Sequence, residues 1–206
     1  MFFATRGQFK SVVAAEVASL LLWKTLAEGD RAGGVLQTGK TSLEFKPARS
    51  RSSALHFMRQ LADATRNPPD TGKSIPDELY ASWQRLRRVT ETGTQVFVVS
   101  DFRSINSAAL KQLAMMNRHA QVGLICIRDP FEENLPDRKR LRLSDGRQNV
   151  WVNLQQKVWR QSYQQRAEVT RAKLKDFSRK HHIPLTELST SDSVKQRLLK
   201  LSRGTQ

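Results

Sequence analysis

Residues 95–102 read Gln-Val-Phe-Val-Val-Ser-Asp-Phe, and residues 122–127 read Val-Gly-Leu-Ile-Cys-Ile. Neither run alternates apolar with polar side chains. A strand with one wet face alternates, so a short unbroken apolar run belongs to a strand covered on both faces, the usual condition of a parallel sheet. Residues 95–102 therefore read as a central parallel strand. Ser107 to about Asn117 lies between the two runs with helical composition, and this strand, helix, strand order is the unit of an open, doubly wound, mostly parallel α/β sheet.

The segments on either side extend the pattern. Upstream, Leu79, Tyr80, Trp83, Leu86 and Val89 recur at helical spacing behind Asp77, a candidate cap, and a loop with Pro68, Pro69, Gly72 and Pro76 precedes them. Earlier still, Leu55, Met58, Leu61 and Ala62 mark a helix over about Ser52 to Thr65. Two short alternating segments, residues 33–38 and 42–46, flank Gly39-Lys40 and end at Pro47, which predicts a hairpin with an edge strand. Phe9 to Leu26 forms a core-facing helix that stops at Gly29-Asp30. Beyond Asp129-Pro130 the chain turns polar, with weak strand candidates near Leu141 and Val150. A long helix is expected from about Gln155 to His181, and a short one from about Ser191 to Leu201. A chain of 206 residues fits one domain over 1–206.

The formal net charge is +16, with basic residues concentrated in Arg138-Lys139-Arg140-Leu141-Arg142 and in the C-terminal helices. Such a field attracts nucleic acid, anionic lipid or an acidic protein. Aromatic residues are not interleaved with the basic ones as a base-stacking surface requires, so nucleic-acid binding is the alternative to a protein partner rather than the first reading. The apolar stretches are too short to span a bilayer, which takes about 20 residues, and the first residues lack the order of an export signal. A cytoplasmic location is expected. The single cysteine, Cys126, sits within the second apolar run and reads as a small buried hydrophobe.

Several strings look like chemistry. Gly34 to Thr41, Gly-Val-Leu-Gln-Thr-Gly-Lys-Thr, satisfies the P-loop pattern with Lys40 as its lysine, and Asp101 could pass for the magnesium-holding acid of a nucleotide hydrolase. A P-loop must open a helix so that its N–H groups converge on phosphate, whereas residues 42–47 alternate and end in proline, so the hairpin is preferred. Asp101 ends a parallel strand, where open α/β sheets place their ligands, and is the first residue to watch. Asp70, Asp77, Asp129 and Asp137 sit beside prolines and read as turn residues. His56, His119, His181 and His182 lack metal-ligand spacing, and no catalytic triad assembles. Trp151, Trp159 and Tyr163 read as packing residues rather than an exposed patch.

Five landmarks in order carry a family resemblance: Thr5-Arg6-Gly7-Gln8-Phe9-Lys10-Ser11-Val12, Gly29-Asp30-Arg31-Ala32-Gly33-Gly34, Val99-Ser100-Asp101-Phe102, Arg128-Asp129-Pro130-Phe131-Glu132-Glu133-Asn134-Leu135-Pro136, and Leu185-Thr186-Glu187-Leu188-Ser189-Thr190. Together they resemble the bacterial von Willebrand factor A-like family known as domain of unknown function fifty-eight. The resemblance implies a Rossmann-like sheet, no enzymatic activity in this chain, and a role beside a MoxR-type AAA+ ATPase in assembling or activating protein complexes. It further implies a metal-ion-dependent adhesion site whose Asp-x-Ser-x-Ser motif ends the first central strand. Met1 aligns just past that motif, so Mg²⁺ is expected only where the motif is supplied, with Asp101 and Ser52 as the remnant ligands. On this reading an upstream coding extension would restore the strand; the alternative is a truncated form, metal-free or completed by a partner. The partner-facing residues would be Arg49, Arg51, Phe102 and Arg103. Without the central strand, the strands near Val35 and Val98 should each expose an edge or be forced together.

Overall fold

The computed structural model describes residues 8–38, 41–66, 76–103, 105–130, 140–144, 149–153 and 157–203, with side chains described over most of these except 76–79 and much of 140–166 and 199–203. In chain order the elements are α1 (Lys10–Ala27), β1 (Ala32–Thr38), β2 (Thr41–Ala48), α2 (Arg51–Arg66), α3 (Pro76–Val89), β3 (Gln95–Ser100), α4 (Ser107–Met116), β4 (Gln121–Arg128), β5 (Arg140–Ser144), β6 (Asn149–Asn153), α5 (Lys157–His181), β7 (Leu185–Ser189) and α6 (Val194–Arg203). The expected α/β class is present: β3, β4 and β7 form a parallel sheet in the order β3-β4-β7, with helices on both faces.

Side-chain alternation along the strands sorts the helices into two layers. Val96 and Val98 of β3, Val122, Leu124 and Cys126 of β4 and Leu185 of β7 point to one face, where they pack with Leu113 and Met116 of α4, Leu174 and Phe177 of α5 and Trp83 and Leu86 of α3. Val99, Ile125, Ile127 and Leu188 point to the other and meet Val13 and Val17 of α1 and Val194 and Leu198 of α6. Cys126 is a free thiol buried in the first of these clusters, as expected of an apolar packing residue.

The hairpin is also as expected. β1 and β2 pair antiparallel, with an irregularity between Ala32 and Gly34 opposite Pro47, where a residue without an N–H is tolerated. The segment from Gly34 to Thr38 is thus strand, and Thr41 begins the next strand rather than a helix, so the P-loop geometry does not form. Gly33 and Gly34 serve packing instead. A Cβ on Gly34 would lie 2.8 Å from the ring of Phe57, and one on Gly33 would lie 2.6 Å from the Phe45 carbonyl oxygen. Phe57 in turn stacks on Phe45, with ring centroids 4.0 Å apart. Lys40 and Gly39 fall outside the described residues.

α1 ends as its sequence predicts. Gly29 adopts φ +80°, Asp30 N–H donates to the Thr25 carbonyl and Gly29 N–H to that of Leu26, the hydrogen-bond pattern of a Schellman cap. Two expectations need correction, and one strand was not expected. Asp77 does not precede α3: the helix starts at Pro76, whose absent N–H suits a first helical position, so Asp77 lies inside the first turn. β3 is not central but lies at the margin of its sheet, because among the described residues β1 pairs with β2 alone and no strand pairs with the outer edge of β3. Residues 185–189, which carry no apolar run of their own, form the third parallel strand, β7. The weak candidates near Leu141 and Val150 do form strands, β5 and β6, paired antiparallel. The loop with Pro68, Pro69, Asp70 and Gly72, Asp137, and the side chains of Trp151, Trp159 and Tyr163 lie outside the described residues.

Candidate functional site at the carboxyl ends of the parallel strands

Parallel strands all deliver their carboxyl ends to one rim, and this is where the charged side chains of interest gather. β3 hands the chain to Asp101 and Phe102, β4 to Asp129, and β7 to Thr190. The turn after β3 is tied by its own side chains: Ser100 Oγ accepts from Phe102 N–H at 3.1 Å, and Asp101 Oδ1 accepts from Arg103 N–H at 3.3 Å. These bonds hold Phe102 at φ 52°, a left-handed conformation that costs an ordinary side chain about 1–2 kcal/mol. Burial of the ring offsets that cost. Phe102 is only 2% exposed and sits in the cluster below α4, so its expected place on a partner-facing surface is corrected: it anchors the turn from inside. α4 then starts under a side-chain cap, Asn106 Oδ1 accepting from Ala109 N–H at 2.8 Å.

Across the rim, the first residue of α1 supplies a cation. Lys10 Nζ lies 3.7 Å from Asp101 Oδ2, and the Lys10 side chain is 0% exposed against 14% for Asp101. A lysine is almost never fully buried unless its charge is matched, so the pair is a fixed feature of the fold rather than a surface contact. Next to it, the buried Ser11 hydroxyl has no hydrogen-bond partner among the described residues. Sequence reasoning singled out Asp101 but missed Lys10, because a lysine at the polar start of an amphipathic helix carries no mark of burial.

Asp129 was also underrated. It is fully buried, and its Oδ2 accepts from Thr190 Oγ1 at 3.0 Å, while Thr190 N–H donates to the Arg128 carbonyl at 2.8 Å. The pair of contacts locks β4 to β7 at the same rim. The neighbouring proline pointed to a turn residue, but the carboxylate is buried. Behind it, Glu187 accepts from Arg171 Nη2 at 2.6 Å and from Arg128 Nη1 at 3.1 Å. Burial pushes the Glu187 carboxyl upward, but the hydrogen bond and charge of Arg171, with those of Arg128, outweigh it and hold the group below its ordinary range.

The remaining expected residues lie at the junction of β2 and α2. Arg49 and Arg51 are exposed there, as is Arg103 in the turn after β3. Ser50 Oγ accepts from Ser53 N–H at 3.4 Å, and Ser52 Oγ is 2.7 Å from Ser50 Oγ, so these hydroxyls serve the start of α2. Among the described residues, no three His, Cys, Asp or Glu side chains converge as metal ligands. With an ammonium already beside Asp101, the side chains described do not by themselves form the oxygen cage that Mg²⁺ requires.

The family model described as "Protein of unknown function DUF58" matches residues 1–173. No curated protein matches. Among solved structures, the chain is similar to the conserved hypothetical protein BatB from Bacteroides thetaiotaomicron, at 14% identity and a TM-score of 0.46 over 92% of this chain and 88% of that one.

Proposed function

The chain belongs to the family described as protein of unknown function DUF58, and from that premise we propose that it is a non-enzymatic domain that binds an acidic protein partner. The partner we propose is a MoxR-type AAA+ ATPase, met in the cytoplasm, with which this chain assembles or activates other protein complexes. The observation that carries the reading is the exposure of Arg49 and Arg51 at the junction of β2 and α2 and of Arg103 in the turn after β3, in a chain of net charge +16. Loops held by a rigid scaffold are where binding surfaces form, and arginine is favoured in interfaces because its planar fork meets carboxylates in pairs of hydrogen bonds. The ion-paired Lys10 and Asp101 would support the Arg103 turn from behind. Among the described residues no helix is long and apolar enough to cross a membrane.

Reversing Arg49, Arg51 and Arg103 to Glu should weaken the ATPase complex at least about tenfold while leaving the unfolding temperature unchanged, because all three side chains are exposed. The net charge also favours a second reading, binding to nucleic acid. That reading requires an affinity that falls linearly in log K with log salt, at about 0.9 per phosphate neutralised on duplex DNA. ATP turnover by the purified chain would overturn the non-enzymatic reading.

A further inference from the structure

Among the described residues β7 forms the other margin of the parallel sheet, and its backbone is closed at some positions and open at others. Leu124 N–H donates to the Pro184 carbonyl at 2.8 Å, and Thr190 N–H donates to the Arg128 carbonyl at 2.8 Å. In a parallel pair alternate residues bond a given neighbour, so Pro184, Thr186, Leu188 and Thr190 serve β4. Leu185, Glu187 and Ser189 therefore direct their N–H and C=O groups away from it. Ser189 is satisfied locally: its N–H donates to Asp192 Oδ2 at 3.1 Å, and its carbonyl accepts from Asp192 N–H at 3.0 Å. The entry to the strand is tied as well, Ile183 N–H donating to the Ser178 carbonyl at 3.0 Å and the Ile183 carbonyl accepting from Ser178 Oγ at 2.7 Å. Both ends of the edge are thus closed, while the peptide groups of Leu185 and Glu187 have no hydrogen-bond partner among the described residues.

A groove of about 760 Å³ lies against this opening. Leu185, Thr186 and Glu187 line it from β7, Lys175 and Arg179 from α5, and Arg197 from α6. The Glu187 carboxylate is matched by Arg171 and Arg128, so the field over the groove is set by the three outer cations. All three are exposed. Arg179 pairs with Asp176 and Arg197 with Asp192, surface contacts that hold weakly and can be exchanged for the carboxylates of a partner. Lys175 has no ion pair among the described residues.

We propose that this groove receives a short, acidic, extended segment of a partner polypeptide, which adds a strand to β7 at Leu185 and Glu187. It lies at the opposite margin of the sheet from Arg103 and is therefore a second surface, beyond that of Arg49, Arg51 and Arg103. Open N–H and C=O groups in alternation call for another peptide backbone, as in strand addition to a sheet edge, and nucleic acid offers no such ladder. From Leu185 to Glu187 the edge spans about 7 Å at the rise of a strand, so the paired part of the segment is short, with up to four backbone hydrogen bonds. Its side chains alternate between the α5 bank, with Lys175 and Arg179, and the α6 bank, with Arg197, so acids at every second position reach one bank or the other. A second copy of this chain suits the edge poorly, because it would bring the same three cations against themselves.

The test is NMR titration of the full, isotope-labelled chain with an N-acetylated, C-amidated heptapeptide of alternating glutamate and valine. Control peptides carry lysine in place of glutamate, or N-methyl groups on the three central residues. At about ten times its Kd the acidic peptide should slow exchange of the Leu185 and Glu187 amides about tenfold, while those of Thr186 and Leu188, already bonded to β4, change less. Neither control should do so. Joint replacement Lys175→Gln, Arg179→Gln and Arg197→Gln should weaken the peptide at least about tenfold with the unfolding temperature unchanged, and the Arg49, Arg51 and Arg103 variant should bind it like the native chain. The proposal is overturned by the absence of a saturable shift at about 1 mM acidic peptide, which would leave the cations as guards of the edge. It is equally overturned by equal binding of the N-methylated peptide, by Leu185 and Glu187 amides as slow in the free chain as that of Leu188, or by protection without peptide that grows with protein concentration. A DNA duplex that shifts the three cations where the peptide does not would assign the groove to nucleic acid and overturn it too. Peptide binding by a chain that binds no ATPase would uphold the groove and remove only the other reading.

Discussion

Replacing Asp101 with Asn removes one charge from the turn after β3 and takes this counter-ion from Lys10, a side chain with 0% exposure. Breaking a buried ion pair from one side costs about 3–5 kcal/mol, since the surviving charge stays out of water. The separation of 3.7 Å and the 14% exposure of Asp101 place the expected loss at the low end, about 3 kcal/mol. For a chain of this size that corresponds to a fall in unfolding temperature of roughly 6–12 °C. Lys10→Met should cost less, because the carboxylate left behind still reaches solvent and the methionine stem fills the space of the lysine chain. The double variant should recover much of the Asp101→Asn loss, since neither charge then remains. Urea unfolding of the four proteins, followed by tryptophan fluorescence, gives the cycle. Additive losses in the double variant, or a Lys10→Met loss as large as that of Asp101→Asn, would refute the reasoning.

Three further outcomes follow from the packing and the charges. Gly34→Val should destabilise the chain by about 1–3 kcal/mol in urea unfolding, because its Cβ would stand 2.8 Å from the Phe57 ring in a stacked aromatic pair. Glu187 is held below its ordinary value of 4.5, so its contribution is complete above about pH 4.5 and is lost as pH falls through the lower folded value. Glu187→Gln should therefore flatten the acid side of the stability curve below that pH and lower the plateau above it. Cys126 should react with a thiol reagent no faster than the chain opens, because its sulfur lies within the sheet core, and urea should accelerate the reaction.

The parts of the fold that were legible in the sequence are those where burial is written as periodicity. The two apolar runs, the helix between them and the hairpin of β1 and β2 were all read from the pattern of side chains. β7 was not, since Leu-Thr-Glu-Leu-Ser holds a charged residue whose burial depends on Arg171 and Arg128, partners distant in sequence. The same cause hid Lys10 and Asp129, polar groups whose partners, Asp101 and Thr190, lie just beyond the ends of β3 and β7, distant in sequence. Asp101 could be found because the end of a parallel strand is marked locally. The apolar run of β3 reads as a central strand, and the open edge it shows among the described residues is the one expected of the strands near Val35 and Val98 where the first central strand is missing.

The reading as a partner-binding domain is tested most directly by calorimetric titration of the intact chain with a purified MoxR-type AAA+ ATPase, run beside the Arg49→Glu, Arg51→Glu, Arg103→Glu variant. The expected result is a saturable complex whose affinity falls at least about tenfold in the variant with unfolding temperature unchanged. Absence of heat and of complex at tens of micromolar, or equal affinity in the two proteins, would contradict it.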